Sequence, residues 1–235
     1  MKMRIISKVG ILCLALLISL GVLFNVSEEK DTSTAVTVNN FNYELDETTM
    51  TAELISYVTK PSGSITIPEK ITSNKAEYTV TCIGYGAFQN ATITSITLPN
   101  SLKEIGDYAF YYCTSLTSIN IPENVENIGE FAFVYCSKLK SVTGMLGVKT
   151  IKNNAFYNCR VLTNITLPES LETMGEFAFY CCTSLNNVVI PASVKSIGMS
   201  AYSNCKSLTT ITSFFIGLNP ITNNGSLYDI PNPFL

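Results

Sequence analysis

The sequence repeats with a fixed period of 23 residues, and this repeat constrains the fold more than any other feature. A short fixed period is typical of a solenoid, because a unit of this size cannot bury its apolar side alone and packs against its neighbours. We therefore predict a β-rich repeat solenoid built from stacked 23-residue coils. Five full copies follow one another without a gap: Ile93–Ser115, Leu116–Lys138, Leu139–Val161, Leu162–Ser184 and Leu185–Ser207.

The copy Leu116–Lys138 shows how one coil should fold. Ile119 and Ile121 alternate with polar residues, as in a half-buried strand, and a proline then ends the strand because it has no N–H to donate. The stretch after this proline predicts a second short extended segment. Phe133 and Cys136 are three positions apart, so we expect one short helical or 3₁₀ turn to close each coil.

Stacking of the coils should place equivalent residues in columns. Parallel strands lie about 4.8 Å apart, so equivalent side chains of adjacent coils are expected to touch. A column of aromatic rings would then form a continuous apolar core. Its members are Phe88, Phe110, Phe133, Phe156, Phe179 and Tyr202.

A second column consists of cysteines, namely Cys113, Cys136, Cys159, Cys182 and Cys205. A disulfide ladder or a thiolate metal site would be the functional interpretations. Side chains in register point the same way, however, and a straight column does not provide the tetrahedral set of four ligands that zinc requires. We therefore expect buried thiols that pack as small apolar groups, and we predict no metal and no cofactor. Cys181 lies outside the column and should be the more reactive thiol.

Composition and charge exclude several classes of function. The chain has no His, which removes the commonest general base and a common metal ligand. From Glu28 onward, 12 basic side chains face 18 acidic ones, so no basic surface is available for nucleic acid. No signature of a catalytic motif appears, and we do not predict an enzyme.

The N-terminus has the pattern of an export signal. Lys2, Arg4 and Lys8 precede the uncharged apolar run Val9–Phe24, an order typical of a signal peptide or a signal anchor. We assign residues 1–35 to this segment, with cleavage expected after Ala35. A membrane contact is expected only through this segment, if it stays uncleaved. The repeats should then face a secreted or cell-surface environment.

The repeat pattern LxxIxIPxxVxxIGxxAFxxC resembles the BspA-like class of leucine-rich repeats, which occurs in exported and surface proteins. The resemblance covers about Phe41 to Leu208. It implies a leucine-rich repeat array with an atypical unit at either end. The expected parts are an N-terminal capping hairpin over 36–60, an atypical first repeat with an insertion over 61–92, five repeats over 93–207, and an irregular, truncated C-terminal coil over 208–235.

Two sets of side chains are candidates for partner binding. The first is the uncharged face of the predicted strands, and its alternative is a solvated sheet face. The second is a stripe of aromatic residues on the turn edge, and its alternative is packing between coils. The strand face holds Ser95, Thr97, Ser118, Asn120, Ser141, Thr143, Asn164 and Thr166. The stripe holds Tyr108, Phe131 and Phe177, two positions before the buried rings, and Tyr111, Tyr157 and Tyr180, one position after them.

The resemblance implies an exported or cell-surface leucine-rich repeat protein that binds a protein or glycan partner, in the manner of adhesion proteins and without catalysis. A structural spacer, or a fragment of a larger surface protein without a ligand of its own, is the alternative. A hydrolase that uses the glutamates recurring in two coils is a third hypothesis, because glycosidases use pairs of carboxylates across a cleft. These glutamates include Glu126 and Glu172.

Overall fold

A computed structural model describes residues 33–213, which form a β-solenoid of about six coils with a spacing of 23 residues. The fold class expected from the repeat is therefore confirmed. The export segment, apart from its last three residues, and the C-terminal coil beyond Ser213 lie outside the described residues. Within the described range, no helix has the length and apolar character that crossing a membrane requires.

The described residues form seventeen strands. The first six are β1 (Ser33–Val38), β2 (Phe41–Asp46), β3 (Thr51–Tyr57), β4 (Ser62–Thr66), β5 (Lys70–Ser73) and β6 (Ala76–Ile83). The repeats contribute β7 (Thr92–Thr97), β8 (Glu104–Ile105), β9 (Ser118–Ile121), β10 (Asn127–Ile128), β11 (Ser141–Gly144), β12 (Thr150–Ile151), β13 (Asn164–Ile165), β14 (Thr173–Met174), β15 (Asn187–Ile190), β16 (Ser196–Ile197) and β17 (Thr210–Ser213).

Each coil contributes one strand to each of two parallel arrays. The face sheet comprises β4, β7, β9, β11 and β13, which pair in this order, and β15 pairs with β17 in a separate two-stranded sheet. The back sheet comprises β8, β10, β12, β14 and β16, which pair in this order. The pairing is in register, so that Ser141 lies opposite Ser118 and Ile151 lies opposite Ile128. Equivalent residues of neighbouring coils therefore form columns.

The N-terminal strands extend the back sheet. β1, β2 and β3 pair antiparallel as a meander, and β3 then pairs in parallel with β6, which continues to β8. The insertion in the first coil forms a hairpin, in which β5 pairs antiparallel with β6. Asn74 and Lys75 make its turn with φ of 49° and 67°, the left-handed conformation that two-residue hairpin loops need.

The aromatic column forms the centre of the core. Successive rings are 5.0–5.3 Å apart between centroids and 3–7° from parallel, and Phe41 of the N-terminal cap covers Phe88 edge-on at 5.7 Å. Phe133 and its neighbours in the column are inaccessible to solvent. A buried aromatic ring contributes about 1.5–3 kcal/mol through its apolar area, so this column supplies much of the stability of each coil.

The expected helical or 3₁₀ turn was wrong. The segment closing each coil is a series of β-turns, in which Tyr108 and Tyr112 adopt φ of 59° and 57°. The N–H groups of Tyr108 and Phe110 donate to the carbonyls of Glu130 and Ala132 in the next coil, each at 2.8 Å. A helical turn would direct its N–H groups along its own axis, whereas stacking requires every second N–H to point at the neighbouring coil.

The third full copy departs from the repeat, as its sequence indicates. Gly144 and Met145 replace the apolar residue and proline of the other copies and have φ of 81° and 64°. A Cβ at Gly144 would collide with the carbonyl oxygen of Ile121. Met145 is buried in the core, as are the prolines at the equivalent positions of the other full copies.

Candidate binding surfaces

The predicted polar residues of the face sheet lie together on one surface. In β9, Ser118 and Asn120 alternate with the buried residues Ile119 and Ile121, so the polar side chains point outward. Parallel pairing then places the equivalent residues of other coils in register beside them. Thr97, Ser118, Asn120, Thr143, Asn164 and Thr166 are exposed, and Ser95 and Ser141 are half-buried.

Part of the hydrogen-bonding capacity of this surface is used between coils. The hydroxyl of Thr143 donates to the side-chain oxygen of Asn120 at 3.0 Å, and the hydroxyl of Thr117 donates to the carbonyl of Thr94 at 3.0 Å. Val189 interrupts the polar column with a side chain that is 51% exposed. The face sheet thus presents an uncharged surface that could contact a partner through weak polar bonds.

The turn edge carries a continuous group of aromatic rings, which we call the aromatic edge. Each ring has a neighbour whose centroid lies between 4.6 and 6.1 Å away, and these contacts connect all of its members. The members are Tyr85, Tyr108, Tyr111, Tyr112, Phe131, Tyr135, Tyr157, Phe177 and Tyr180.

The six predicted aromatic residues all belong to this edge and are half-buried. Tyr108 stacks on Phe131 at 4.8 Å, whereas Phe177 contacts Tyr180 edge-on at 5.7 Å. Asn154 occupies the equivalent position of the coil between Phe131 and Phe177. The column is therefore interrupted there, and the contacts between its two parts pass through neighbouring tyrosines.

Sequence reasoning missed Tyr112 and Tyr135, whose rings lie 4.6 Å apart and connect the two ends of the edge. Their 23-residue spacing was a visible signal. This spacing places both residues in one column, but the exposure of that column depends on their left-handed backbone, which no local pattern indicates. Tyr85 was also missed, because it precedes the full copies, although it is 69% exposed and contacts Tyr108 at 5.3 Å.

Five of the nine rings sit on residues with a left-handed backbone. This conformation costs a bulky L-residue roughly 1–2 kcal/mol, whereas Gly adopts it freely and Asn tolerates it well. At the equivalent positions, other coils have Gly86, Asn90, Asn154, Asn158 and Asn204, and in two cases Cys181 and Ser200. The five aromatic residues are Tyr108 at φ 59°, Tyr112 at 57°, Phe131 at 56°, Tyr135 at 58° and Phe177 at 54°.

Charged side chains flank the aromatic edge, and their sign differs between its two sides. The chain passes from the back sheet through the aromatic edge to the face sheet, so residues before and after the rings lie on opposite sides. The acidic side holds Asp107, Glu130 and Glu176, and the basic side holds Lys138, Arg160 and Lys206. Lys152 also lies on the acidic side, where its ammonium is 3.2 Å from the carboxylate of Asp107.

The cysteine column consists of buried thiols, as expected. None of its members forms a disulfide, and the thiol of Cys136 donates to the carbonyl of Phe110 at 3.2 Å. Burial raises the pKa of Cys113 from 9.0 to about 12, so this thiol stays protonated at neutral pH. Cys181 is half-buried and lies on the turn edge. Among residues 33–213, no three acidic or thiol side chains group as a metal site would require.

Two of the recurring glutamates, Glu126 and Glu172, form ion pairs with lysines of the next coil. The carboxylate of Glu126 is 3.1 Å from the ammonium of Lys149, and that of Glu172 is 2.7 Å from Lys195. The hydrogen bond and the charge of Lys195 lower the pKa of Glu172. A general acid in glycoside hydrolysis needs a raised pKa, so this environment does not suit Glu172 for that role.

The sequence profile of the BspA-type leucine-rich repeat region, which comprises six copies, matches residues 56–152 and 145–224. This chain belongs to the BspA-type leucine-rich repeat family. The resemblance noted from the repeat pattern is therefore confirmed. No curated protein matches the chain.

Solved structures of bacterial leucine-rich repeat proteins are similar to this BspA-type chain. A leucine-rich cell surface protein from Faecalibacterium prausnitzii is 34% identical, with a TM-score of 0.60 over 79% of this chain and 56% of that one. A leucine-rich repeat protein from Bacteroides ovatus is 28% identical, with a TM-score of 0.58 over 75% of this chain and 52% of that one. The BspA-type chain thus spans about half the length of these two proteins.

Proposed function

We propose that this BspA-type protein is exported or displayed at a cell surface and binds a protein or glycan partner through the aromatic edge, without catalysing a reaction. Two findings support the location. The Faecalibacterium prausnitzii protein is described as a cell surface protein, and Lys2, Arg4 and Lys8 precede an apolar run in the manner of an export signal.

The observation that carries the binding function is the left-handed backbone beneath the rings. Phe131 and Tyr135 keep a conformation that Asn154 and Asn158 adopt in the next coil at lower cost. Strained residues that persist on a surface are a feature of functional sites. Tyrosine and phenylalanine also give large contact areas with little loss of side-chain entropy, which suits them to recognition.

The polar face sheet is a second contact region in this proposal. Its residues Ser118, Asn120 and Asn164 are exposed and uncharged, and hydroxyl and amide groups can bond to a protein backbone or to sugar hydroxyls. Adhesion would then use both surfaces of the coil. A structural spacer would need neither the aromatic residues at strained positions nor an uncharged face.

The experiment compares wild-type protein with the double variant Phe131→Asn and Tyr135→Asn on an array of glycans and an array of extracellular proteins. Asparagine suits both left-handed positions, so we expect the double variant to stay folded with a melting temperature close to that of the wild type. Binding to the arrays should weaken at least tenfold. The variant Ser118→Ala with Asn120→Ala, tested on the same arrays, measures how much of the binding depends on the face sheet.

The outcomes separate the hypotheses. Loss of binding in the variant Ser118→Ala with Asn120→Ala alone would move the site to the face sheet. A wild-type protein that binds no glycan and no protein on either array would favour the spacer. Hydrolysis of an arrayed glycan that disappears in Glu126→Gln would favour the hydrolase.

A further inference from the structure

We infer that the aromatic edge pairs with the aromatic edge of a second copy of this chain, with the two solenoid axes parallel. This inference rests on the proposed function, because it names the protein partner of the same surface. Three features of the edge carry it: the charge asymmetry across the rings, the symmetry that this asymmetry selects, and the stacking of the rings themselves.

Charge asymmetry makes the edge complementary to itself. In one coil, Glu130 precedes the ring of Phe131, and Lys138 follows the ring of Tyr135. The carboxylate therefore lies on the back-sheet side and the ammonium on the face-sheet side. A copy of the same edge, turned to face the first, can place its basic side against the acidic side. Opposite charges would then meet on both borders.

Only one two-fold arrangement brings unlike charges together. A two-fold axis parallel to the solenoid axis exchanges the two borders of the edge and keeps the coils in the same order. Glu130 then lies at the level of Lys138 of the second copy, and the converse pair forms by symmetry. A two-fold axis perpendicular to the solenoid axis would instead place acidic borders against each other. Charge thus selects the parallel pair.

The third coil adds a second contact. Arg160 belongs to the coil between those of Glu130 and Glu176, so its guanidinium lies about one coil spacing, roughly 4.8 Å, from the level of each carboxylate. In the parallel pair, Arg160 would face both carboxylates of the second copy. Arginine suits this position because its planar group can bond to two acceptors.

Ring stacking favours a protein partner over a sugar. Sugars bind aromatic side chains through an open ring face. Tyr108 and Phe131 lie 15° from parallel at 4.8 Å, and Tyr157 and Tyr180 lie 14° from parallel at 5.0 Å, so the facing sides of these rings are covered. Ring edges and phenol hydroxyls remain available. Such groups pack well against another array of rings in edge-to-face contacts.

The size of the edge predicts a weak pair. Four coil steps from Tyr85 to Phe177 span only about 19 Å, which places the interface at the small end of specific contacts. Weak pairing is sufficient for chains that are concentrated on one surface. The parallel orientation also places both N-terminal ends on the same side, as it would for two chains displayed by one cell.

The test is a charge exchange measured by sedimentation equilibrium of the full chain. One variant carries Glu130→Lys with Glu176→Lys, and the other carries Lys138→Glu with Arg160→Glu. Each variant alone places like charges on both borders, so its self-association should weaken at least tenfold relative to the wild type. In an equimolar mixture, both borders of one variant can face borders of opposite charge on the other variant. Association should then return to the wild-type level.

A wild-type chain that stays monomeric at millimolar concentration would overturn the inference. Two other results would also overturn it: each charge variant associating with itself as strongly as the wild type does, or the equimolar mixture failing to associate. The proposed function is judged separately, from the binding of Phe131→Asn with Tyr135→Asn to the arrays. A monomeric wild type whose array binding depends on Phe131 would reject the pair and leave the proposed function in place. Circular dichroism of each charge variant establishes that it is folded.

Discussion

The ammonium of Lys152 lies 3.2 Å from the carboxylate of Asp107, although 45 residues and one complete coil separate them. The intervening coil has Gly129 at the position equivalent to Lys152, so no side chain stands in the path. The same carboxylate oxygen of Asp107 accepts the N–H of Glu130 at 2.7 Å. A single side chain thus connects three successive coils at the start of the turn edge.

Two substitutions of Asp107 distinguish the stability contributed by its hydrogen bond from that contributed by its ion pair. Asp107→Ala should lower the free energy of unfolding by about 1–3 kcal/mol, because the N–H of Glu130 loses a charged acceptor. Asp107→Asn should cost less, about 0.2–1 kcal/mol, because it removes only the half-exposed ion pair with Lys152. An amide oxygen can replace the carboxylate as acceptor of the N–H of the next coil, because the side-chain oxygen of Asn153 accepts the N–H of Glu176 at 2.8 Å. Urea unfolding of both variants measures the difference, and equal losses would contradict it.

Gly129→Ala tests how closely adjacent coils approach at the bend. A Cβ at this position would collide with the backbone of Gly106 in the preceding coil, and backbone atoms cannot turn away. We expect a loss of about 1–3 kcal/mol, as for other overpacked sites. Lys152→Ala changes the equivalent position of the next coil and keeps a Cβ, so it should lose only about 0.2–1 kcal/mol, the contribution of its ion pair with Asp107. A Gly129→Ala protein with the melting temperature of the wild type would show that the coils can separate without cost.

Phe133→Ala tests the aromatic column. The ring of Phe133 lies 5.1 Å from Phe110 and 5.0 Å from Phe156, and it is fully buried. Its removal should lower the free energy of unfolding by about 3–5 kcal/mol, which would unfold or fray the array. Phe133→Leu keeps most of the volume and should cost less than about 1.5 kcal/mol if the neighbours repack. An unchanged melting curve for Phe133→Ala would refute the stacked core.

Alkaline pH should destabilise the protein through its buried thiols. The pKa of Cys113 is raised from 9.0 to about 12 in the folded state, so above pH 9 the unfolded state releases a proton that the folded state keeps. Its contribution is therefore complete below pH 9 and is lost as the pH rises towards 12. The free energy of unfolding should fall by up to about 1.4 kcal/mol per pH unit for each such thiol.

Cys113→Ala provides the check on this pH dependence. In urea unfolding between pH 8 and 11 under reducing conditions, the free energy of unfolding of the variant should fall less steeply with pH than that of the wild type. The two slopes should differ by up to about 1.4 kcal/mol per pH unit, the value for one proton. Thr114→Ala, a change at a neighbouring residue that does not titrate in this range, should keep the wild-type slope. The same pH dependence of the free energy of unfolding in all three proteins would show that the pKa of Cys113 is not raised in the folded state.

The spacing of the copies made the columns predictable. Once Phe110, Phe133 and Phe156 are recognised as equivalent, parallel in-register pairing follows, because no other stacking buries every ring. The conformation of the closing turn could not be obtained in this way. A spacing of three residues fits a helical turn and a series of β-turns equally well, and hydrogen bonds between coils decide between them.

The candidate surfaces were predictable in part for the same reason. Tyr108, Phe131 and Phe177 were identified from their 23-residue spacing, and the polar residues of the face sheet from the alternation around Ile119. Tyr112 was missed, because its exposure depends on a left-handed backbone that no local pattern indicates. The ion pair of Lys152 was missed because it spans two coils and depends on Gly129 having no side chain.

The sequence by itself determined the solenoid, the register of its coils and the buried columns of Phe and Cys. These follow from a periodic apolar pattern, which has only one way to exclude water when identical units are stacked. The tertiary structure alone decided the backbone of the turn edge and therefore the continuity of the aromatic edge. Its N–H groups are satisfied by carbonyls of the neighbouring coil, and such contacts between coils depend on the distance and orientation of atoms that lie more than 20 residues apart in the chain.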